Sequence, residues 1–224
     1  MPAASPHPLS RALSAPELGF AVVDAGPLPH AAAPTLRFGL RIDVTGDRPV
    51  RSIMLQTQLQ IAARRRRHEP GEEERLFELF GDRARWGTTL RTLPWTRHTQ
   101  VVPQFSGSVG VDLLVPCTYD FDIVASRYLL ALDGGEVPLE LLFSGTVFYT
   151  AEGGLLQTAQ IPSDREAEFS LPVSTWRETM DRYFPGASWM LLDRKTFERL
   201  HAYRSSNALP SWEQAIDKLL DEAD

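Results

Sequence analysis

The chain is poor in the residues that build disulfide frameworks and metal clusters. Among its 224 residues there is a single cysteine, Cys117, so no internal disulfide can form. One thiol cannot supply the ligand set of an iron–sulfur cluster, and neither a CxxC motif nor a helical histidine pair indicates another metal. We therefore expect no metal site and no cofactor, and we expect the protein to reside in the reducing cytoplasm.

Long apolar runs are also missing. No stretch reaches the roughly 18 to 20 apolar residues that a membrane span requires, so we predict no membrane partner. Residues 1–16 contain four prolines and lack the apolar centre of a signal sequence, which predicts a flexible N-terminal tail. The net charge of −6 and the pI of about 5.4 disfavour attraction to phosphate backbones, so we expect no nucleic-acid partner.

The motifs of the common catalytic sites are absent as well. The sequence contains no glycine-rich phosphate loop, no GxSxG, no HExxH and no dinucleotide fingerprint. Cys117 ends an apolar stretch, and no signature places a base beside it, so we interpret it as a small buried hydrophobe. We assign no catalytic residue, and a non-enzymatic role is favoured.

Strict alternation of apolar and polar residues predicts two long strands early in the chain. In Thr35–Thr45 every second residue is apolar, and in Val50–Ala62 a mainly apolar series that includes Thr57 alternates with Met54 and three glutamines. Because only a short turn at Gly46-Asp47 separates them, we expect these strands to pair antiparallel with one face in water. Similar patterns predict further strands at Leu18–Asp24, Val109–Val115, Tyr119–Ile123, Val137–Tyr149, Leu155–Ile161 and Ala167–Leu171.

Helical patterns are confined to one insertion and to the end of the chain. Glu72–Glu74 open a helix within an insertion near residues 71–86, and Gly81 is positioned to end it. Near the C-terminus, capping residues at Thr175 and Ser211 precede apolar stripes and predict two helices, and a further helix is predicted between them from about Asp193 to Arg204.

These patterns together predict a mainly β, α+β fold. The expected architecture is an antiparallel β-sandwich-like or layered sheet with the C-terminal helices packed on it, and a barrel is the alternative. We divide the chain into a tail (1–16), a β-rich domain (17–171) and a helical extension (172–224) packed on the same core.

The segment between Trp86 and Gly107 combines aromatic, basic and proline residues in one irregular stretch, for which short strands and an ordered loop are both open. Tryptophan and arginine are enriched at interaction hot spots, and ordered loops carry many binding residues. We therefore take Trp86, Trp95, Arg97 and His98 as candidate binding residues. The alternative is that the tryptophans cover the open end of the core.

Two charged groups are weaker candidates. Asp120 and Asp122 stand two apart on a predicted strand, so their carboxylates project together and suit a hard cation, although such pairs are usually only a solvated face. The basic run Arg64–Arg67 has the charge to contact phosphate. The acidic Glu72–Glu74 follow closely and offset that charge, which favours a solvated strand end.

Short motifs spread over most of the chain carry a family resemblance. They are Pro34–Phe38, Trp86-Gly87 with Leu93–Thr96, Val115–Phe121, Leu142–Phe148, Tyr183–Pro185 and Leu209–Trp212. Together they resemble an uncharacterised actinobacterial protein family, a domain of unknown function, over about residues 17–222. The resemblance implies a link to nickel–iron hydrogenase gene neighbourhoods, and hence an accessory role in hydrogenase maturation or assembly.

Three functional hypotheses follow. The first is a non-catalytic binding or assembly protein that recognises another protein through a sheet face or the 86–107 segment. The second is an enzyme with an unrecognised site near Asp120 and Asp122. The third is a small-ligand carrier. The sequence makes no prediction of the oligomeric state.

Overall fold

The computed structural model describes residues 15–45, 49–118, 123–151, 154–187 and 192–223. The strands within them are β1 (Glu17–Pro27), β2 (Thr35–Thr45), β3 (Val50–Ile61), β4 (Leu93–Val102), β5 (Ser108–Pro116), β6 (Glu136–Thr150), β7 (Leu156–Gln160) and β8 (Glu166–Pro172). The helices are α1 (Pro70–Arg75), α2 (Phe77–Phe80), α3 (Trp86–Thr89), α4 (Val124–Ala131), α5 (Val173–Asp181), α6 (Arg194–Ser206) and α7 (Trp212–Asp221).

Some sequence predictions fall outside the described residues. These are the predicted tail up to residue 14, the turn at Gly46-Asp47, and most of the strand predicted at Tyr119–Ile123, including Asp120 and Asp122. Ile123 itself directly precedes helix α4.

The strands form two antiparallel sheets. Sheet A has the order β1-β2-β5, and sheet B has the order β4-β3-β6-β7, with β8 pairing with the first half of β6. The apolar residues on the inner faces of β2 and β3 have 8% exposure or less and belong to one cluster that spans both sheets, whereas Met54 on the outer face of β3 is 48% exposed. The rings of Phe20 in β1 and Phe143 in β6 stack with centroids 4.2 Å apart, which joins the sheets directly. The predicted mainly β, sandwich-like fold is confirmed.

The predicted pairing of the first two long strands is wrong. β2 pairs with β1 and β5, whereas β3 pairs with β4 and β6, so the chain crosses from sheet A to sheet B between them. Alternation shows which side chains face a core, and those positions were correct in both strands. It does not show whether the apolar faces lie side by side in one sheet or opposite each other in two.

The chain divides into two compact units, Met1–Ser188 and Trp189–Asp224. In the first unit, α5 packs against β1 through a face that buries Val173, Trp176 and Met180. Helix α5 begins at Val173, so the cap predicted at Thr175 is wrong. Thr175 instead lies inside the helix, where its carbonyl accepts a hydrogen bond from the hydroxyl of Thr179.

The second unit contains α6 and α7, which form a helical hairpin. Ser211 caps α7 by accepting a hydrogen bond from the amide of Gln214, as predicted. Asp193 caps α6 by accepting hydrogen bonds from the amides of Lys195 and Thr196. Within the described residues, no helix is both long and apolar enough to cross a membrane.

Candidate functional site

Trp86 lies in the protein core. Its ring is 8% exposed, it packs edge-on against His68 and Phe80, and its indole nitrogen donates a 2.9 Å hydrogen bond to the carbonyl of Gly81. With its apolar surface covered and its polar atom paired, Trp86 holds α2 and α3 on the sandwich.

The other three candidate residues lie on β4. Trp95 faces the core and packs edge-on against Phe38 of sheet A, with ring centroids 6.4 Å apart. His98 pairs with Thr57, whose side chain is 2% exposed, so His98 also lies on the inner face. Arg97, between them, projects from the outer face of sheet B.

A polar groove of about 400 Å³ crosses the outer face of sheet B at this point. It is lined by Gln56, Thr57, Gln58, Arg97, His98, Thr99 and Ser144, which we call the β3–β4 groove. The register of the strands brings these side chains together. Gln56 lies opposite Thr99 of β4 on one side and Ser144 of β6 on the other, and Gln58 lies opposite Arg97. The structure thus places Arg97 in the groove, and His98 borders it although its side chain is directed to the inner face, whereas Trp86 and Trp95 do not line it.

The groove offers amide and hydroxyl groups and one guanidinium, that of Arg97, which has no ion-pair partner in the part of the chain that the structure describes. On sheet A, by contrast, Arg37 is matched by acids and bonds to Asp24 at 3.0 Å and to Asp112 at 3.1 Å. Arg97 is exposed and forms no ion pair with the described residues. Its guanidinium is therefore free to bind a carboxylate or carbonyl of a ligand.

β4 is also an open edge of sheet B. It pairs with β3 and with no second strand among the described residues, and α4 contacts it without adding backbone hydrogen bonds. Every second backbone N–H and C=O of an edge strand points outward, where it can pair with an added strand. On the outer face of this strand lie Arg97, Thr99 and Val101, the last with 70% exposure.

A second polar cluster, formed by Arg66, Glu72, His68 and Tyr128, is buried between the end of β3 and α4. Its hydrogen bonds join segments of the fold to one another. Arg66 binds the carboxylate of Glu72, the carbonyl of Gly134 and the carbonyl of Glu136. The two bonds from Arg66 and two from backbone amides outweigh burial and lower the pKa of Glu72 to about 2. His68 bonds to the Tyr128 hydroxyl at 2.9 Å, and burial lowers the pKa of its ring.

The basic run Arg64–Arg67 is therefore more than a solvated strand end. Arg64 binds the carbonyls of Leu90 and Gly87, and Arg65 forms a two-bond ion pair with Glu168. With Arg66 in its buried pair, three of the four guanidinium groups tie neighbouring segments to the end of β3.

Cys117 behaves as the small buried hydrophobe expected from the sequence. It is 8% exposed, and burial raises the pKa of its thiol to about 12, so the reactive thiolate is suppressed.

In the part of the chain that the structure describes, no three His, Cys, Asp or Glu side chains come together as a metal site. Asp120 and Asp122 lie outside that part.

The match to one protein family runs over residues 15–224, which are most of the chain. The chain belongs to DUF6084, a family of unknown function. The resemblance to a domain of unknown function is thereby confirmed, while the actinobacterial origin and the hydrogenase link stay predictions. A comparison with the curated proteins finds no match.

Likeness to solved structures is weak. A protein from Bordetella pertussis described as ApaA is 13% identical over 70% of this chain and 93% of its own, with a TM-score of 0.26. β-Glucosidase 3B from Thermotoga neapolitana is 16% identical over 69% of this chain and 17% of its own, with a TM-score of 0.25. A β-glucosidase from Kluyveromyces marxianus is 8% identical over 70% of this chain and 15% of its own, also with a TM-score of 0.25.

Sequence reasoning missed the residues that complete the groove. Gln56 and Gln58 alternate with apolar residues, which is the ordinary pattern of a wet strand face. Ser144 lies 86 positions after Gln58 and reaches the groove only through the pairing of β6 with β3. A local signal was nevertheless present, because three glutamines at every second position make an unusually uniform amide surface.

Proposed function

We propose that this protein is a non-catalytic binding module, of accessory or assembly type, that recognises an extended segment of another protein at β4. The single observation that carries the proposal is that β4 is an open edge beside the β3–β4 groove. An incoming strand gains main-chain hydrogen bonds along such an edge, and nearby pockets select its side chains.

The side chains of β4 make this pairing selective. Proline and charge on an edge strand both oppose indiscriminate strand addition, and Pro94 and Arg97 supply them here. A partner with an acidic residue beside Arg97 pairs with its charge, and an apolar residue beside Val101 covers that exposed side chain. Glutamine and threonine side chains of the groove then bind polar groups of the same partner.

The cellular setting is part of the proposal. A lone buried thiol suits a reducing compartment, so we place the protein in the cytoplasm. The family resemblance directs the search for a partner toward the subunits and maturation factors of nickel–iron hydrogenases. Supporting hydrogenase assembly needs a binding surface and no catalytic site of its own.

The test combines native co-purification with hydrogen exchange. The full-length chain is purified from native cells, its partners are identified by mass spectrometry, and amide exchange is measured with and without the reconstituted partner. We expect a reproducible partner that slows exchange in Leu93–Val102 but not in Glu17–Pro27, another edge strand. A partner that protects other segments, or no reproducible partner, would contradict the proposal.

Matched variants sharpen the test. Arg97→Glu and Val101→Glu alter exposed side chains of β4 and should each weaken the complex roughly tenfold or more. Arg67→Glu is the control, because Arg67 is also exposed and lies outside the groove. Unchanged circular dichroism establishes that each variant is folded. Equal losses in all three variants would indicate a general charge effect.

The groove also favours a second candidate, a carrier of small polar ligands. Its volume of about 400 Å³ and its amide and hydroxyl lining suit such a ligand. Between the sheets, the described side chains form one apolar cluster, so a ligand would have to occupy the outer groove. Native mass spectrometry should then show a retained ligand that is lost in Gln58→Leu; identical spectra for both proteins would reject a carrier.

A further inference from the structure

The C-terminal hairpin has an open apolar groove. Within the unit, α6 has no fully buried residue and α7 buries only Ala215. A groove of about 470 Å³ is lined by Leu192, Thr196, Arg199, Leu200, Tyr203, Ile216 and Leu219, which we call the hairpin groove. Leu219 is 37% exposed and Leu220 next to it is 60% exposed.

Aromatic contacts hold the two helices of the hairpin together. Trp212 of α7 packs against Phe197 and His201 of α6, and the guanidinium of Arg204 lies 4.0 Å from the centre of its ring. Tyr203, which borders the hairpin groove, adds a hydrogen bond from its hydroxyl to Glu222 at the end of α7. These contacts hold the hairpin together and leave Leu219 of the groove 37% exposed. Helices of 13 and 10 residues are marginal by themselves, so covering their remaining apolar surface would stabilise them.

Charge along the hairpin identifies what can cover the groove. Lys195 and Arg199 lie one turn apart on α6, and Arg199 borders the groove. Glu213 and Asp217 lie one turn apart on α7, and Asp217 follows the groove residue Ile216. All four are exposed, and no ion pair joins them within the described hairpin.

We propose that the hairpin groove is covered by the hairpin of a second copy of this chain, forming a four-helix bundle. A two-fold axis can set α6 of one copy against α7 of the other, and the apolar grooves then face each other. In that arrangement the cations of each α6 meet the carboxylates of the opposite α7. Packing α6 on α6 would instead bring like charges together, so the charge pattern selects one pairing.

The first experiment measures the mass of the full-length chain by light scattering and sedimentation over the micromolar range. We expect a species of about twice the 25.1 kDa chain mass, and we expect added salt to weaken it. Ile216→Glu should yield the monomer, whereas Leu156→Glu, at an exposed apolar residue of β7, should not. A monomer at every concentration would overturn the proposal.

The decisive experiment exchanges the charges between copies. Lys195→Glu with Arg199→Glu, and separately Glu213→Lys with Asp217→Lys, should each weaken the dimer roughly tenfold or more. Mixing the two doubly substituted chains should restore a dimer, because each α6 then again faces an oppositely charged α7. Restoration also shows that both variants fold, and a mixture that stays monomeric would overturn the proposal. None of these measurements involves β4, so they are independent of the proposed partner.

Discussion

Arg66 and Glu72 form a buried, two-bond ion pair that joins the end of β3 to α1. The two nitrogen–oxygen distances are 2.6 and 2.9 Å, and the Glu72 side chain is 1% exposed. Arg65 and Glu168, next to it, form a pair of the same shape with distances of 2.8 and 2.8 Å, but the Glu168 side chain is 60% exposed. The molecule thus contains two ion pairs of the same geometry, one with a buried carboxylate and one with an exposed carboxylate.

Glu72→Gln should destabilise the fold by about 3 kcal/mol, because the buried guanidinium of Arg66 loses its counter-charge. Glu168→Gln is the control and should leave the free energy of unfolding nearly unchanged, since water already solvates that pair. Denaturant unfolding of both variants measures the difference. Similar losses in the two variants would show that burial does not set the strength of these pairs.

Acid should destabilise the protein in a window set by Glu72. Its pKa is lowered from 4.5 to about 2 in the folded state, so the folded protein binds the proton less readily than the unfolded chain. The resulting stability is complete above pH 4.5 and is lost as the pH falls toward 2. Unfolding measured across this range should decline less steeply in Glu72→Gln, and parallel curves would contradict the assignment.

Gly145→Ala should be among the most damaging small substitutions in sheet B. Gly145 has φ of +134°, and a Cβ there would overlap the carbonyl oxygen of Met54 on the neighbouring strand. We expect a loss of more than about 3 kcal/mol in the free energy of unfolding. Gly110→Ala in β5 is the control: its Cβ would have no neighbour within 4 Å, and the change should stay within about 0.5 kcal/mol. Comparable melting temperatures for the two variants would be inconsistent with this packing.

Cys117 should resist thiol reagents in the native protein. Burial covers the sulfur and raises the pKa of the thiol to about 12, so little thiolate exists near neutral pH. Modification followed by absorbance should be slow in buffer and fast in denaturant, and the denatured chain serves as the control. Rapid modification of the folded protein would mean that the strand end bearing Cys117 opens readily.

Local patterns predicted most of the strands and their buried faces. Thr35–Thr45 and the inward residues of β3 match the structure because alternation depends only on neighbouring residues and one core. Helix α4 was missed, since Val124–Ala131 is a short apolar stretch beside a segment with strand-like alternation. For residues 86–107 the pattern left short strands and an ordered loop both open, because a bulge near Trp95 interrupts the alternation of β4.

The amino-acid sequence by itself determined the mainly β class, the inward faces of the long strands and the burial of Cys117, because each depends on local hydrophobic pattern. Only the tertiary structure decided that β2 and β3 belong to different sheets and that β4 is an edge. It also placed Gln56, Arg97 and Ser144 on one surface. Such relationships join residues distant in the chain, and strand pairing, unlike periodicity, is settled by competition among all the strands at once.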